Sequence, residues 1–182
     1  MAERSAEGRS VTRNPVYLST LITIVFLVMA APAQSTWVVR PDGVGPVKIG
    51  MTLSQLNGAL RARFSTPKDK EDQGCFYVNP KSHAQLAFMI EDGRLVRIDV
   101  DKPGISTAQG IHVGDTEASV KRVYGASVKV EPSQYSGEEG GRYLTVISAN
   151  GRYGTRFETE KGKVTTFYAG TLTAIQYVEG CE

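Results

Sequence analysis

The stretch VKIGMTLSQL, residues 47–56, returns in outline as IHVGDTEASV, residues 111–120. Each has a β-branched residue, a Gly, one variable residue, a Thr and then an apolar-periodic run. Gly50 and Gly114 stand 64 positions apart. In the first copy Thr52 is placed to cap a helix, and Gln55, three residues on, completes a capping box. Leu53, Leu56, Leu60 and Phe64 then recur near the helical period, and Met51 can pack on Leu56 as a hydrophobic staple. In the second copy Thr116 caps a shorter run whose stripe is Val120, Val123 and Tyr124, and Gly125 supplies a left-handed stop. Asn57-Gly58 works against the first helix by about 1 kcal/mol relative to better formers, so that helix is expected to be short or broken there.

Strands follow each helix. CFYVN, AQLAFMIE and RLVRIDV read as strands in the first half, with Asp92-Gly93 between the last two as a type I′ hairpin pair. In the second half RYLTVISA and RYGTRFETE flank Asn150-Gly151, another such pair, and KVTTFYA follows Lys161-Gly162. Phe88 and Gly93 match Phe157 and Gly162 at an offset of 69, so the second copy is about five residues longer. The loop EPSQYSGEEGGR, residues 131–142, absorbs the surplus. A unit of about 65 residues has a thin core by itself, and two can share one. The fold class expected is therefore α+β: two fused repeats, each a short helix plus an antiparallel β-meander, packed as one helix-on-sheet domain. The first repeat occupies residues 34–106 and the second 107–182. In this reading Gly50, Thr52, Gly114 and Thr116 are turn and cap residues with a structural role.

Residues 1–33 read as a signal peptide. Arg4, Arg9 and Arg13 precede the apolar run VYLSTLITIVFLVMAA, and Ala31-Pro32-Ala33 puts small residues where signal peptidase reads them, so cleavage is expected before Gln34. The alternative is a retained N-terminal anchor, although the apolar core of roughly 15 residues is short of the about 20 that span a bilayer. The expected location is periplasmic or secreted. The whole chain carries a formal charge of +2, and removing residues 1–33 takes away three Arg and two Glu. A near-neutral chain without long basic runs has no electrostatic footprint for nucleic acid.

The two cysteines, Cys75 and Cys181, are expected to form one disulfide in an exported chain. Closing a loop of about 106 residues would stabilise the fold by up to roughly 4–5 kcal/mol in the chain-entropy model.

Chemistry-bearing motifs are sparse. Gly45 to Gly50 has the spacing of a phosphate loop and Thr52 follows, but Met51 stands where the phosphate-reaching Lys belongs, and Pro46 removes a donor. His83 and His112 lack HxxxH, HExxH or CxxC company, so no metal site and no cofactor are expected. His83 falls in the polar turn NPKSHAQ and is expected to be exposed; His112 reads as a ladder or edge residue. Glu71-Asp72, Glu91-Asp92 and Glu138-Glu139 lie in turns and polar loops, where solvated charge explains them. A hydrolase with a site assembled in space around His83 is kept as a second alternative. The aromatic side chains are the more usable feature, because Tyr and Arg are over-represented in binding hot spots. Trp37, Tyr135, Tyr143, Arg152, Tyr153 and Arg156 are the expected contact residues, with loops 66–74 and 131–142 setting specificity.

Gly-x-Thr, a short amphipathic helix and a meander of strands resemble the small envelope lipoprotein of the outer-membrane β-barrel assembly machinery. In tandem they also resemble the secreted β-lactamase inhibitory proteins. That resemblance implies a helix-on-antiparallel-sheet unit, joined in pairs, presenting a sheet face and loops to another protein. It covers residues 43–170 in outline and carries over Gly50, Thr52, Gly114 and Thr116 as structural residues. The chain departs from the pattern in having no lipobox Cys and a single bridge between repeats. The function expected is a non-catalytic protein-binding module, an inhibitor or an envelope assembly helper; the alternative is a glycan or small-ligand binding protein using the same aromatics.

Overall fold

Two Gly-x-Thr segments open two helices, and each segment is hydrogen-bonded to the start of a long strand. The computed structural model describes Met1, residues 37–134 and residues 140–181; the leader with its cleavage point, and Tyr135, lie outside the described residues. The chain opens with strands β1 (Val38–Arg40), β2 (Gly43–Val44) and β3 (Val47–Lys48), then helix α1 (Leu53–Leu60). Strands β4 (Cys75–Val78), β5 (Leu86–Glu91), β6 (Arg94–Val100) and β7 (Ser106–Thr107) lead to helix α2 (Glu117–Tyr124). Strands β8 (Val128–Pro132), β9 (Arg142–Ile147), β10 (Tyr153–Glu160) and β11 (Lys163–Thr171) complete the regular structure, and a 3-10 turn, Ala174–Gln176, follows. The chain is α+β, and residues 34–182 form a compact unit by themselves. No helix among the described residues is long and apolar enough to cross a membrane.

The large sheet has the order β4-β5-β6-β11-β10-β9-β8 and is antiparallel throughout. Its centre is the pairing of β6 with β11, where Val100 faces Phe167 and Ile98 faces Ala169. A small sheet, β3-β2-β1-β7, includes a parallel pairing of β1 with β7. Leu56 of α1 and Val120 of α2 bury in one apolar core with Phe88, Ile98, Leu144, Phe157 and Phe167 of the large sheet, and with Val39, Val44 and Val47 of the small one. Alternation along the strands puts the intervening side chains on the other face.

The caps form as the residues dictate. Thr52 accepts from the Gln55 N–H and the Gln55 side chain reaches back to the Thr52 N–H, closing the capping box. Thr116 accepts from the Ser119 N–H; α2 ends at Gly125, whose φ of +57° is positive but whose ψ of −135° departs from the left-handed stop expected there. Helix α1 runs through Asn57-Gly58 and stops at Leu60, so Phe64 lies beyond its end. Val123 of the expected α2 stripe points to solvent, while Val120 is buried and Tyr124 packs at the core margin.

The two halves repeat their backbone bonds. The Gly50 N–H donates to Leu95 O at 2.7 Å and the Leu95 N–H to Met51 O at 2.8 Å; the Gly114 N–H donates to Val164 O and the Val164 N–H to Asp115 O, both at 2.8 Å. The register of β5 on β6 shifts between Met89 and Ile90, and that of β10 on β11 between Glu158 and Thr159, which are the residues equivalent at the offset of 69. Asp92-Gly93 and Lys161-Gly162 each have both residues at positive φ, as a type I′ turn requires.

Several expectations need correction. Only Gly151 of Asn150-Gly151 has positive φ; that hairpin is a longer loop closed by Ser148, whose hydroxyl donates to Tyr153 O at 2.8 Å. The second half contributes four strands to the large sheet, because residues 128–132, partly assigned to a loop, form β8. The small sheet was not expected at all, since strands of two or three residues are too short to show an alternating pattern. His112 does pair as an edge residue, making an isolated bridge with Ser106, with its side chain exposed.

Candidate functional site

On the sheet face away from the helices, polar and aromatic side chains form a row across the central strands. Arg156 of β10 stacks over the Tyr143 ring at 4.7 Å, and Arg97 of β6 over the Tyr168 ring at 4.5 Å. The Tyr168 hydroxyl donates to Glu158 at 2.9 Å. Arg97 makes a bidentate pair with Asp99, two bonds of 2.8 Å, and a 2.6 Å bond to the Tyr77 hydroxyl. Arg156 donates to Thr145 at 3.0 Å and to Glu131 at 3.5 Å.

The C-terminal segment crosses this row. Arg97 donates to the carbonyls of Ala174 at 3.0 Å and Tyr177 at 2.7 Å, and Arg156 donates to the Gln176 side chain. Ile175 is fully buried over Gly154, where a Cβ would meet its Cδ1 at 2.5 Å. Tyr177 donates to Glu91 at 3.2 Å. Beyond it the segment is tied down by the Cys75–Cys181 disulfide, with Cα atoms 5.4 Å apart.

Burial sets the electrostatics here. It raises the Glu158 carboxyl above the ordinary range, and the Tyr168 hydroxyl with the nearby Arg97 and Arg156 charges only partly offsets this. Burial and the adjacent Glu158 raise the Tyr168 phenol, and burial, then Asp99, pushes Tyr77 up to about 12. Desolvation works against the Arg97 charge but is outweighed by Asp99, Tyr77 and Tyr168, so its pKa is raised. These groups hold one another: among the described residues no buried side-chain nitrogen or oxygen lacks a hydrogen-bond partner.

The structure scatters the expected contact residues. Tyr143 and Arg156 are each only 4 % exposed and belong to the covered row, so a partner cannot reach them as docking side chains in this conformation. Trp37 is half-buried, stacked on His83 with ring centroids 3.6 Å apart, and Gly45 lies against its ring. His83, expected to be exposed, is therefore half-buried; its neighbours are Trp37 and the Ser82 hydroxyl, 3.0 Å from Nδ1, and burial lowers its pKa. Arg152 and Tyr153 stay accessible at the β9–β10 turn, the Arg152 guanidinium 5.6 Å from the Tyr153 ring centre.

Sequence reasoning did not single out three exposed apolar side chains on β9, β8 and α2. Ile147 of β9 is 54 % exposed, Val130 of β8 is 41 % and Val123 of α2 is 40 %. Strand β8 is the edge of the sheet and pairs only with β9. A signal existed in the sequence, because Val128 and Val130 alternate with Lys129 and Glu131, but that pattern does not show which strands lie beside it. Among the described residues no group of three His, Cys, Asp or Glu is placed to hold a metal. No known protein family matches the chain, and no curated protein matches it either.

Proposed function

We propose that this chain is an exported binding module for another protein, acting as an inhibitor or an envelope assembly helper and performing no chemistry of its own. The two halves are fused repeats of one helix-on-meander unit. Support for the repeat comes from the equivalent backbone bonds at Gly50 and Gly114 and the equivalent register shifts in β6 and β11. Support for export comes from the basic-then-apolar start of the chain and from the Cys75–Cys181 bridge, which persists in oxidising compartments.

One observation carries the binding reading. Among residues 37–134 and 140–181 the large exposed apolar side chains are Val123 of α2, Val130 of β8 and Ile147 of β9; Val130, paired with the core residue Leu144, and Ile147, three residues further along β9, take opposite faces of the same sheet edge. The cation–π pair of Arg152 and Tyr153 lies at the β9–β10 turn of the same end. A sheet edge that exposes apolar side chains on both faces and carries Tyr and Arg at its turn has the composition of a protein-contact surface. The five-residue pairing of β8 with β9 fixes both strands, so this edge is preformed and loses little freedom on binding.

Crosslinked affinity capture from envelope extract tests this, with the oxidised chain and its Ile147→Asp and Val130→Asp forms as baits. The expected result is one saturable protein with the native chain, lost with both variants at similar Tm. Equal capture by the variants moves the contact away from this edge, and no saturable protein at all removes the binding-module reading.

A further inference from the structure

Helix α1 ends at a position where glycine is the usual choice. Arg61 is its C-cap and adopts the left-handed conformation, φ +49° and ψ +40°, a region disfavoured for residues with a Cβ. Its side chain lines a groove of about 420 Å³ between the end of α1 and the turn from β4 to β5. That volume is in the range of small-molecule sites, roughly 300–1,000 Å³.

Two features mark the groove as built. Asn57 clamps one wall: its side-chain amide donates to Phe64 O at 2.9 Å and accepts from the Phe64 N–H at 2.6 Å, while its own carbonyl accepts from the Ala62 N–H at 3.0 Å. Residues 61–64 are thereby fixed, and a residue of modest helix propensity holds the loop that follows the helix. The lining also combines an apolar floor of Leu60, Phe64 and Pro80 with three cations, Arg61 and Arg63 on one wall and Lys81 on the other. No carboxylate among the described residues makes a salt bridge with any of the three. Three like charges around an apolar floor are complementary to one negative head on an apolar body.

We infer that this groove binds a small organic anion with an apolar body, an aryl or alkyl carboxylate or phosphate, at a site separate from the proposed protein-contact edge. The body lies on Leu60, Phe64 and Pro80, and the head is shared by Arg61, Arg63 and Lys81. Because Asn57 holds the loop in place, the cost of ordering it on binding is small.

The test uses the full oxidised chain at low ionic strength, with 4-phenylbutyrate as probe and 4-phenylbutylamine as its cationic counterpart. Backbone amide shifts are followed by NMR. The anion is expected to shift Arg61–Phe64 and Lys81–His83 saturably with Kd of about 1 mM, and the amine to leave them unmoved. Arg61→Gly and Lys81→Gln are each expected to weaken binding about five-fold. Arg61→Gly should do so with Tm unchanged or raised, because glycine accepts the left-handed cap; a merely structural Arg61 would not separate the two readouts. Equal binding of both compounds, saturable shifts elsewhere, no saturable shift, or unaltered affinity in both variants each overturns the inference.

Discussion

Arg97 shows how one residue organises a face of this protein. Its guanidinium engages Asp99, Tyr77, Tyr168 and two carbonyls of the C-terminal segment. Burying a charge is favourable only when its hydrogen bonds are met, and removing one partner leaves the others stranded. Arg97→Met is therefore expected to lower the unfolding free energy by about 3 kcal/mol, read from urea unfolding at pH 7. A loss under about 1 kcal/mol would mean that the carbonyls of Ala174 and Tyr177 find water instead. None of this was legible in the motif RLVRIDV. The alternation of Val96, Ile98 and Val100 announced a strand, but the carbonyls that Arg97 holds lie 77 and 80 residues away. Asn57 gives the converse lesson: propensity marked it as a defect of α1, and the fold uses its amide to secure Phe64.

At the scale of elements, the caps were the most legible feature because they depend on neighbours within three residues. Thr52 with Gln55, and Thr116 before α2, behave as local chemistry requires. What fastens α2 to the sheet is less local. Glu117 accepts from Thr159 at 2.7 Å and from Lys121 at 3.1 Å, with Arg142 3.6 Å away. Partial burial alone would raise its carboxyl, yet these donors outweigh it and hold the pKa below the ordinary value near 4.5. A depressed carboxyl contributes stability above its unfolded pKa and loses it as pH falls through the folded one. Glu117→Gln should accordingly lower the urea midpoint at pH 7 and flatten its decline below about pH 4.5. An unchanged acid limb would mean that the bonds to Thr159 and Lys121 add nothing in solution.

The whole molecule is closed by one covalent tie between its first half and its last residues. The bridge spans 106 positions, and removing it by Cys75→Ser with Cys181→Ser should reduce stability by up to about 4–5 kcal/mol. Ala174 and Ile175 are buried and held by Arg97, whereas Val178 to Cys181 lie beyond the last of those contacts. Reduction should thus speed hydrogen exchange at residues 178–181 and leave 174–176 protected. Equal loss of protection along the whole segment would show that the bridge alone keeps it on the sheet.

Helix caps, six of the large-sheet strands, the Asp92-Gly93 turn and the cysteine pairing follow from the sequence by itself, because each rests on short-range periodicity, on φ preference or on there being only two thiols. Only the tertiary structure decided that β8 joins the sheet, that β1, β2, β3 and β7 form a second one, and that Tyr143 and Arg156 are buried in the polar row that the C-terminal segment crosses. The physical reason is the same in each case. Alternation says that a side chain has two possible faces, but burial depends on what the distant chain lays over each face, and that is fixed only when the strands are paired.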